Sequence, residues 1–207
     1  MSYLTKRNQI ITLLYHPRFL LAIWIIICVI ASFKQYAVSD LVQGKCNYNN
    51  FRVFIQSFEH LLQGKNLYNS YPNEYFDLYH YGPIFALLIA PFYYLPVGIS
   101  LVLFGALNAW FLFKAIWSLP IDSRSKAIII WISTNTLITS TLNTQFHAIC
   151  AAMIILSYSC IVYKKEIWST FFIILGAFIK LYGIVGLAFF FFSKNKKKSE
   201  AQEQDVT

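Results

Sequence analysis

Charge is scarce in this chain: Lys, Arg, Asp and Glu make up 13% of its 207 residues, and only 9 residues are acidic. A soluble domain carries about 25% charged residues. A chain that is 57% hydrophobic has too little polar surface to cover its apolar side chains in water. Chemical signatures are missing as well. There is no glycine-rich phosphate loop, no nucleophile elbow and no HExxH metal pair, which argues against a nucleotide-dependent enzyme and a metal hydrolase. The 4 cysteines form no framework and no ligand spacing. Cys28, Cys150 and Cys160 lie in apolar runs, and Cys46 stands alone in a polar interval. The histidines (His16, His60, His80, His147) are scattered and read as interface or helix-end residues rather than as ligands.

What is present is a series of apolar runs near bilayer-spanning length, with a mean hydropathy of +0.53. This predicts an all-α, polytopic helical membrane protein of about six transmembrane or re-entrant segments. The net charge of +8 belongs to membrane topology: Lys and Arg beside apolar spans are retained on the cytoplasmic side. Nucleic acid is therefore not an expected partner, and membrane lipid is. Residues 1–18 form a cytoplasmic lead-in. Phe19 to Phe33 is the first span and lacks a small-residue cleavage site after its apolar core. The remaining spans are expected near 97–117, 127–139, 148–163, 168–179 and 182–192. The single membrane domain is then 1–192, followed by a basic, disordered cytoplasmic tail over 193–207 that contains the KNKKK run. This arrangement places the N-terminus in the cytoplasm and the chain in the cytoplasmic (inner) membrane as a multi-pass protein.

The long polar interval 34–81 is then a large external first loop. Within it Phe51, Phe54, Ile55, Phe58, Leu61 and Leu62 recur at helical spacing, which predicts an amphipathic interfacial helix over about 50–63. Asn49 or Asn50 is expected to cap it and Gly64 to end it. Arg52, Gln56, Glu59, His60 and Gln63 are expected on its polar face. Gly82 to Leu95, interrupted by Pro83 and Pro91, is short for a crossing and is expected to reach half depth over a cavity. On this topology Asn143-Thr144-Gln145-Phe146-His147 and the isolated Lys180 meet the loop at the outer face. An ionisable residue amid apolar helix marks a functional site by default, and Lys180 is the one here. Asp40, Glu59, Glu74 and Asp77 are the loop's acids. Tyr68, Tyr71, Tyr75, Tyr79 and Tyr81 suit sugar rings and equally an aromatic belt.

Five short motifs in one order carry a resemblance. They are Asn50-Phe-Arg-Val-Phe, Leu62-Gln-Gly-Lys-Asn-Leu-Tyr68, Tyr81-Gly-Pro-Ile-Phe-Ala-Leu-Leu with Pro91 and Leu95-Pro96, Thr144-Gln-Phe-His147, and Lys180-Leu-Tyr-Gly183. The chain resembles glycosyltransferase family 87, GT-C-fold membrane enzymes that use polyprenyl-phosphate sugars. The resemblance implies an inverting transfer of a hexose-type sugar to a glycan or glycolipid acceptor at the outer membrane face. It implies no cofactor beyond the lipid-linked donor; no residue is assigned to a metal, and the enzyme is metal-independent or of unknown metal need. Asp77 or Glu74 would be the base, with Asp77 nearer the membrane. Arg52 and Lys180 would hold the donor phosphate, and Gln145 and Tyr81 the sugar hydroxyls. Two departures stand out. Asn50 replaces the family's first-loop aspartate, and family members continue into more helices after the lysine, so the chain reads as a truncated member. Thr144-Gln-Phe-His147 is a match, standing where the family has Gly-Gln-x-Asn. The alternative is a catalytically silent membrane protein that binds lipid-linked glycan or a partner subunit.

Overall fold

The computed structural model describes residues 12–39 and 46–192. The lead-in through residue 11, Asp40 and the tail 193–207 lie outside the described residues. The described chain is all helical: α1 (Pro17–Val38), α2 (Asn49–Leu62), α3 (Pro83–Leu88), α4 (Ala90–Tyr93), α5 (Val97–Trp117), α6 (Ser123–Leu142), α7 (His147–Val162), α8 (Glu166–Ile179) and a 3₁₀ helix (Leu181–Phe192). Two of these, α1 with 22 residues and α5 with 21, are long and apolar enough to cross a membrane. At a rise of about 1.5 Å per residue each reaches the thickness of a hydrocarbon core. Helices α7 and α8 are apolar but shorter, with 16 and 14 residues. Of the segments expected to enter the membrane, α1 and α5 alone combine the length and the apolarity of a crossing among the described residues; α6 has 20 residues but is less apolar.

The two long helices pack against each other through small residues. A Cβ on Gly105 of α5 would overlap Ser32 Oγ of α1, and this close approach raises the number of van der Waals contacts between the helices. Helix α6 runs parallel to α1. Trp24 Nε1 donates to Thr134 Oγ1 at 2.8 Å, and Trp131 Nε1 donates to the Leu14 carbonyl at 3.1 Å. Gln35 Nε2 donates to the Leu142 carbonyl at the far end. Ser118 at the end of α5 bonds Ser159 near the end of α7 at 3.0 Å. One end of the bundle therefore gathers the end of α1, the α6–α7 connection and the start of the 3₁₀ helix. The opposite end gathers the α5–α6 and α7–α8 connections.

Helix α2 closes the first end. Phe51, Phe54, Ile55 and Phe58 are buried, and the rings of Phe51 and Phe54 meet Phe85 of α3, Phe92 of α4 and Phe104 of α5. The apolar face thus packs on protein. Gly64, at φ +65, ends α2; the Lys65 N–H bonds the His60 carbonyl at 2.9 Å and the Gly64 N–H bonds the Leu61 carbonyl at 3.2 Å. This is the double bond pattern of a left-handed helix stop. Two expectations for α2 need correction. His60 is 1% exposed, not on the polar face, because its ring stacks on Tyr71 at 3.9 Å. Neither Asn49 nor Asn50 caps the helix; Tyr48 occupies the cap position with no side-chain bond.

The segment 82–95 forms the two short helices α3 and α4, with Pro83 opening the first and Pro91 in the first turn of the second. The last apolar run, expected as a further span, is wound as a 3₁₀ helix. At three residues per turn Gly183 and Gly186 share one face. A Cβ on Gly183 would overlap the backbone of Gly176 and Ala177, and one on Gly186 would press on Ile173 and Ser157. Glycine lets this helix lie against α7 and α8.

Candidate functional site

Lys180 stands in a one-residue break. Helix α8 ends at Ile179, Lys180 itself is extended (φ −154, ψ 132), and the 3₁₀ helix begins at Leu181. The break frees the side chain from either helix face. Its Nζ lies 4.8 Å from the centre of the Tyr81 ring and 5.0 Å from that of Tyr182. Two aromatic faces thus hold the ammonium by cation–π attraction, which contributes about 0.5–2 kcal/mol per ring. Lys180 also acts electrostatically on His147 and Cys150.

The Tyr81 turn is fixed to the same break. The Gly82 N–H donates to the Ile179 carbonyl at 2.9 Å, and glycine is required there because a Cβ would overlap the Phe178 carbonyl oxygen. Two tyrosines set the turn's other groups: Tyr79 Oη donates to the Gly82 carbonyl at 2.9 Å and Tyr68 Oη to the Tyr81 carbonyl at 3.3 Å. Burial pushes the Tyr79 and Tyr81 phenols far above their ordinary value, so both hydroxyls stay protonated. Tyr75 is also buried, and burial pushes its phenol up to about 12. Most of the tyrosine-rich segment is therefore wall and turn; Tyr68 is the member left exposed.

The α6–α7 connection supplies the third side. Phe146 is buried against Tyr81, Phe85 and Phe104. Gln145 Oε1 accepts from His147 Nδ1 at 2.9 Å. An amide oxygen only accepts, so His147 Nδ1 is the donor of this pair. Thr144 adopts φ +49, a left-handed conformation that is an outlier for a β-branched residue. It stands where the resemblance places Gly.

Asn50 reaches this connection directly: its Nδ2 donates to the Asn143 carbonyl at 2.8 Å. Asn49 clamps the loop, accepting from the Phe76 N–H at 2.9 Å and donating to the Phe76 carbonyl at 2.5 Å. Asp77 follows Phe76, so this clamp sets it beside the start of α2, one residue from the element that carries Asn50. Asp77 is exposed, at φ +85, with His80 Nε2 3.4 Å from its carboxylate. Glu74 is placed elsewhere. Its Oε2 bonds His60 Nε2 at 2.7 Å, and His60 lies near the far end of α2, more than two turns from Asn50. Arg52 is half-buried on α2, and the electrostatic partner it shows is Tyr48. The structure thus brings Tyr81 to Lys180 and Asn50 to the connection that carries Gln145, while Asp77 is joined to the start of α2 through its neighbour Phe76. It separates Glu74 from these residues, and no contact joins Arg52 to Lys180 among the described residues.

A cavity of about 290 Å³ opens between α5, α6 and α7. Its wall is mostly apolar, including Leu112, Ile116, Leu137 and Ile155, with Ser140 among them and His147 at the site end. Among the described residues no three His, Cys, Asp or Glu side chains gather to hold a metal ion. Asn49, His147 and Tyr182 have no site role in the sequence reading, although Asn49 is expected there as a cap and the other two stand within the quoted motifs. The first acts across 27 residues and leaves no local signal, whereas the other two lie two residues from Gln145 and Lys180.

A family model described as glycosyltransferase family 87 matches residues 79–199, more than half of the chain. The matched span contains Tyr81, Gln145 and Lys180, and it begins after Glu74 and Asp77. No curated protein and no solved structure matches the chain.

Proposed function

The chain belongs to glycosyltransferase family 87, and on that premise we propose that it moves a hexose-type sugar from a polyprenyl-phosphate donor to a glycan or glycolipid acceptor. The observation that carries this reading is the Lys180 ammonium held between Tyr81 and Tyr182 near the His147 end of an apolar cavity. A fixed cation beside an apolar channel suits a phosphate on a long hydrocarbon chain. The polyprenyl chain lies between α5, α6 and α7, with its phosphate toward Lys180. Arg52 assists from α2 if the loop closes over the donor.

In the transfer, an acceptor hydroxyl attacks the anomeric carbon from the face opposite the phosphate. The new C–O bond forms as the sugar–phosphate C–O bond breaks, and the lipid phosphate leaves with the electron pair. Lys180 stabilises that developing charge. Asp77 takes the hydroxyl proton; it is favoured over Glu74 because Asn49 ties the neighbouring Phe76 to the start of α2, where Asn50 lies, while Glu74 is engaged by His60. Gln145 and Tyr81 bond sugar hydroxyls. No metal and no cofactor enters these steps. The protein is GT-C-like and multi-pass in the cytoplasmic membrane, with the N-terminus inside and the site at the outer face. Arg18, Lys114, Arg124, Lys126, Lys164 and Lys165 at the opposite end support this orientation.

A second reading, a silent binder of lipid-linked glycan, draws on Asn50. Its amide donates to a backbone carbonyl, a bond an ionised aspartate cannot make, so the position serves structure here. The test is sugar transfer in membranes expressing the chain, with a panel of radiolabelled polyprenyl-phosphate sugars. Wild type is expected to transfer, Asp77→Asn to lose about 100-fold or more, Glu74→Gln to stay within a few-fold, and Asn50→Asp to gain nothing. Loss in Glu74→Gln alone reverses the base assignment. No transfer by folded wild type, or transfer by Asn50→Asp only, favours the silent reading.

A further inference from the structure

At the end of the bundle opposite the site, a groove of about 820 Å³ runs between the segment before α1 and the first turns of α6. Its walls are Tyr15, Ile128, Trp131 and Ile132, with Ser123 and Arg124 at one edge. The bond from Trp131 Nε1 to the Leu14 carbonyl fixes one wall, and an indole with a satisfied N–H is suited to the membrane–water boundary.

We propose that this groove binds an anionic phospholipid, its phosphate on Arg124 and an acyl chain along Trp131 and Ile132. The proposal rests on the chain's place in a membrane and is independent of sugar transfer. Arg124 is exposed, and its guanidinium lies 5.9 Å from the centre of the Tyr15 ring, which orients the planar fork that binds phosphate oxygens in pairs. Asp122, two residues before it, is engaged at the start of α6. Asp122 Oδ1 accepts the Arg124 and Ser125 backbone N–H groups at 3.0 Å each, and Oδ2 accepts from Ser125 Oγ at 2.5 Å. Among the described residues no carboxylate pairs with Arg124. Lys126 adds a second cation two residues on, 5.7 Å from the Trp117 ring. A zwitterionic headgroup would bring its own cation toward these two; an anionic one brings only the complementary charge. The groove's volume falls in the range of small-molecule sites.

The full chain is reconstituted in phosphatidylcholine nanodiscs that contain a minor fraction of brominated lipid. The brominated lipid is either phosphatidylglycerol or phosphatidylcholine. The fluorescence of Trp131 is isolated by subtracting the signal of Trp131→Phe. Phosphatidylglycerol is expected to quench Trp131 at about fivefold lower mole fraction than phosphatidylcholine. Arg124→Gln is expected to bring the two to parity, and Arg124→Lys to keep part of the preference. A second readout needs no variant: the wild-type preference is expected to fall as salt is raised from about 0.05 to 0.5 M. Equal quenching by both headgroups, a preference that survives Arg124→Gln, or one indifferent to salt overturns the proposal.

Discussion

At the scale of single residues, Thr144 carries a conformation that suits it poorly. A left-handed backbone costs an L-residue about 1–2 kcal/mol, and the buried Thr144 hydroxyl has no hydrogen-bond partner among the described residues. Glycine relieves both, offset by about 0.5–1 kcal/mol of extra chain entropy in the unfolded state. Thr144→Gly is therefore expected to raise thermal stability by roughly 1 kcal/mol, read as a higher midpoint in a detergent-solubilised melt. A lower midpoint would show that the hydroxyl has a partner in solution. Lys180 is the opposite case, where side-chain chemistry matters more than backbone. Lys180→Met keeps the length and the packing between Tyr81 and Tyr182 but removes the charge. It is expected to reduce sugar transfer about 100-fold with the melt nearly unchanged, and Lys180→Arg to recover part of the loss. Equal transfer by Lys180→Met and wild type would remove Lys180 from the donor site.

Elements meet at the site through backbone, which makes glycine decisive. In Gly82→Ala the new methyl collides with the Phe178 carbonyl, so the turn must leave α8 and the Gly82-to-Ile179 bond must break. Tyr81 then loses its place over Lys180. Transfer is expected to fall as far as in Lys180→Met while membrane insertion persists, measured by carbonate-resistant membrane association alongside the assay. This contact also shows what a sequence can and cannot reveal. The apolar runs of α1 and α5, the helical spacing of Phe51, Phe54 and Phe58, and the stop at Gly64 are local patterns, and each was legible. The meeting of Tyr81 with Lys180 was legible at one remove, because charge bias sends both to one end. The Asn49 clamp on Phe76 and the burial of His60 were not, since both depend on how a loop folds back on α2 many residues away. The 3₁₀ winding of Leu181–Phe192 was hidden too: its apolar residues suit any helix, and the Gly183–Gly186 spacing has meaning only against α8.

For the whole molecule, the two ends differ in charge and in cysteine. Cys46 lies partly exposed in the loop at the site end, and Cys160 partly exposed near the basic end, while Cys28 and Cys150 are buried. A membrane-impermeant maleimide applied to intact cells is expected to label Cys46 and to leave Cys160 untouched until the membrane is opened. The reverse pattern would turn the molecule over. The close seam between Gly105 and Ser32 has a consequence for biogenesis. These two helices are separated by the whole loop and by α2, α3 and α4, so α1 is made well before its mate has been translated. Until α5 arrives, α2 has no Phe104 to rest on, and Lys180 is translated later still. Lys180 follows α8, so a nascent chain halted after α7 has the loop, the Tyr81 turn and the Gln145 connection, but not the ammonium that Tyr81 faces in the folded protein.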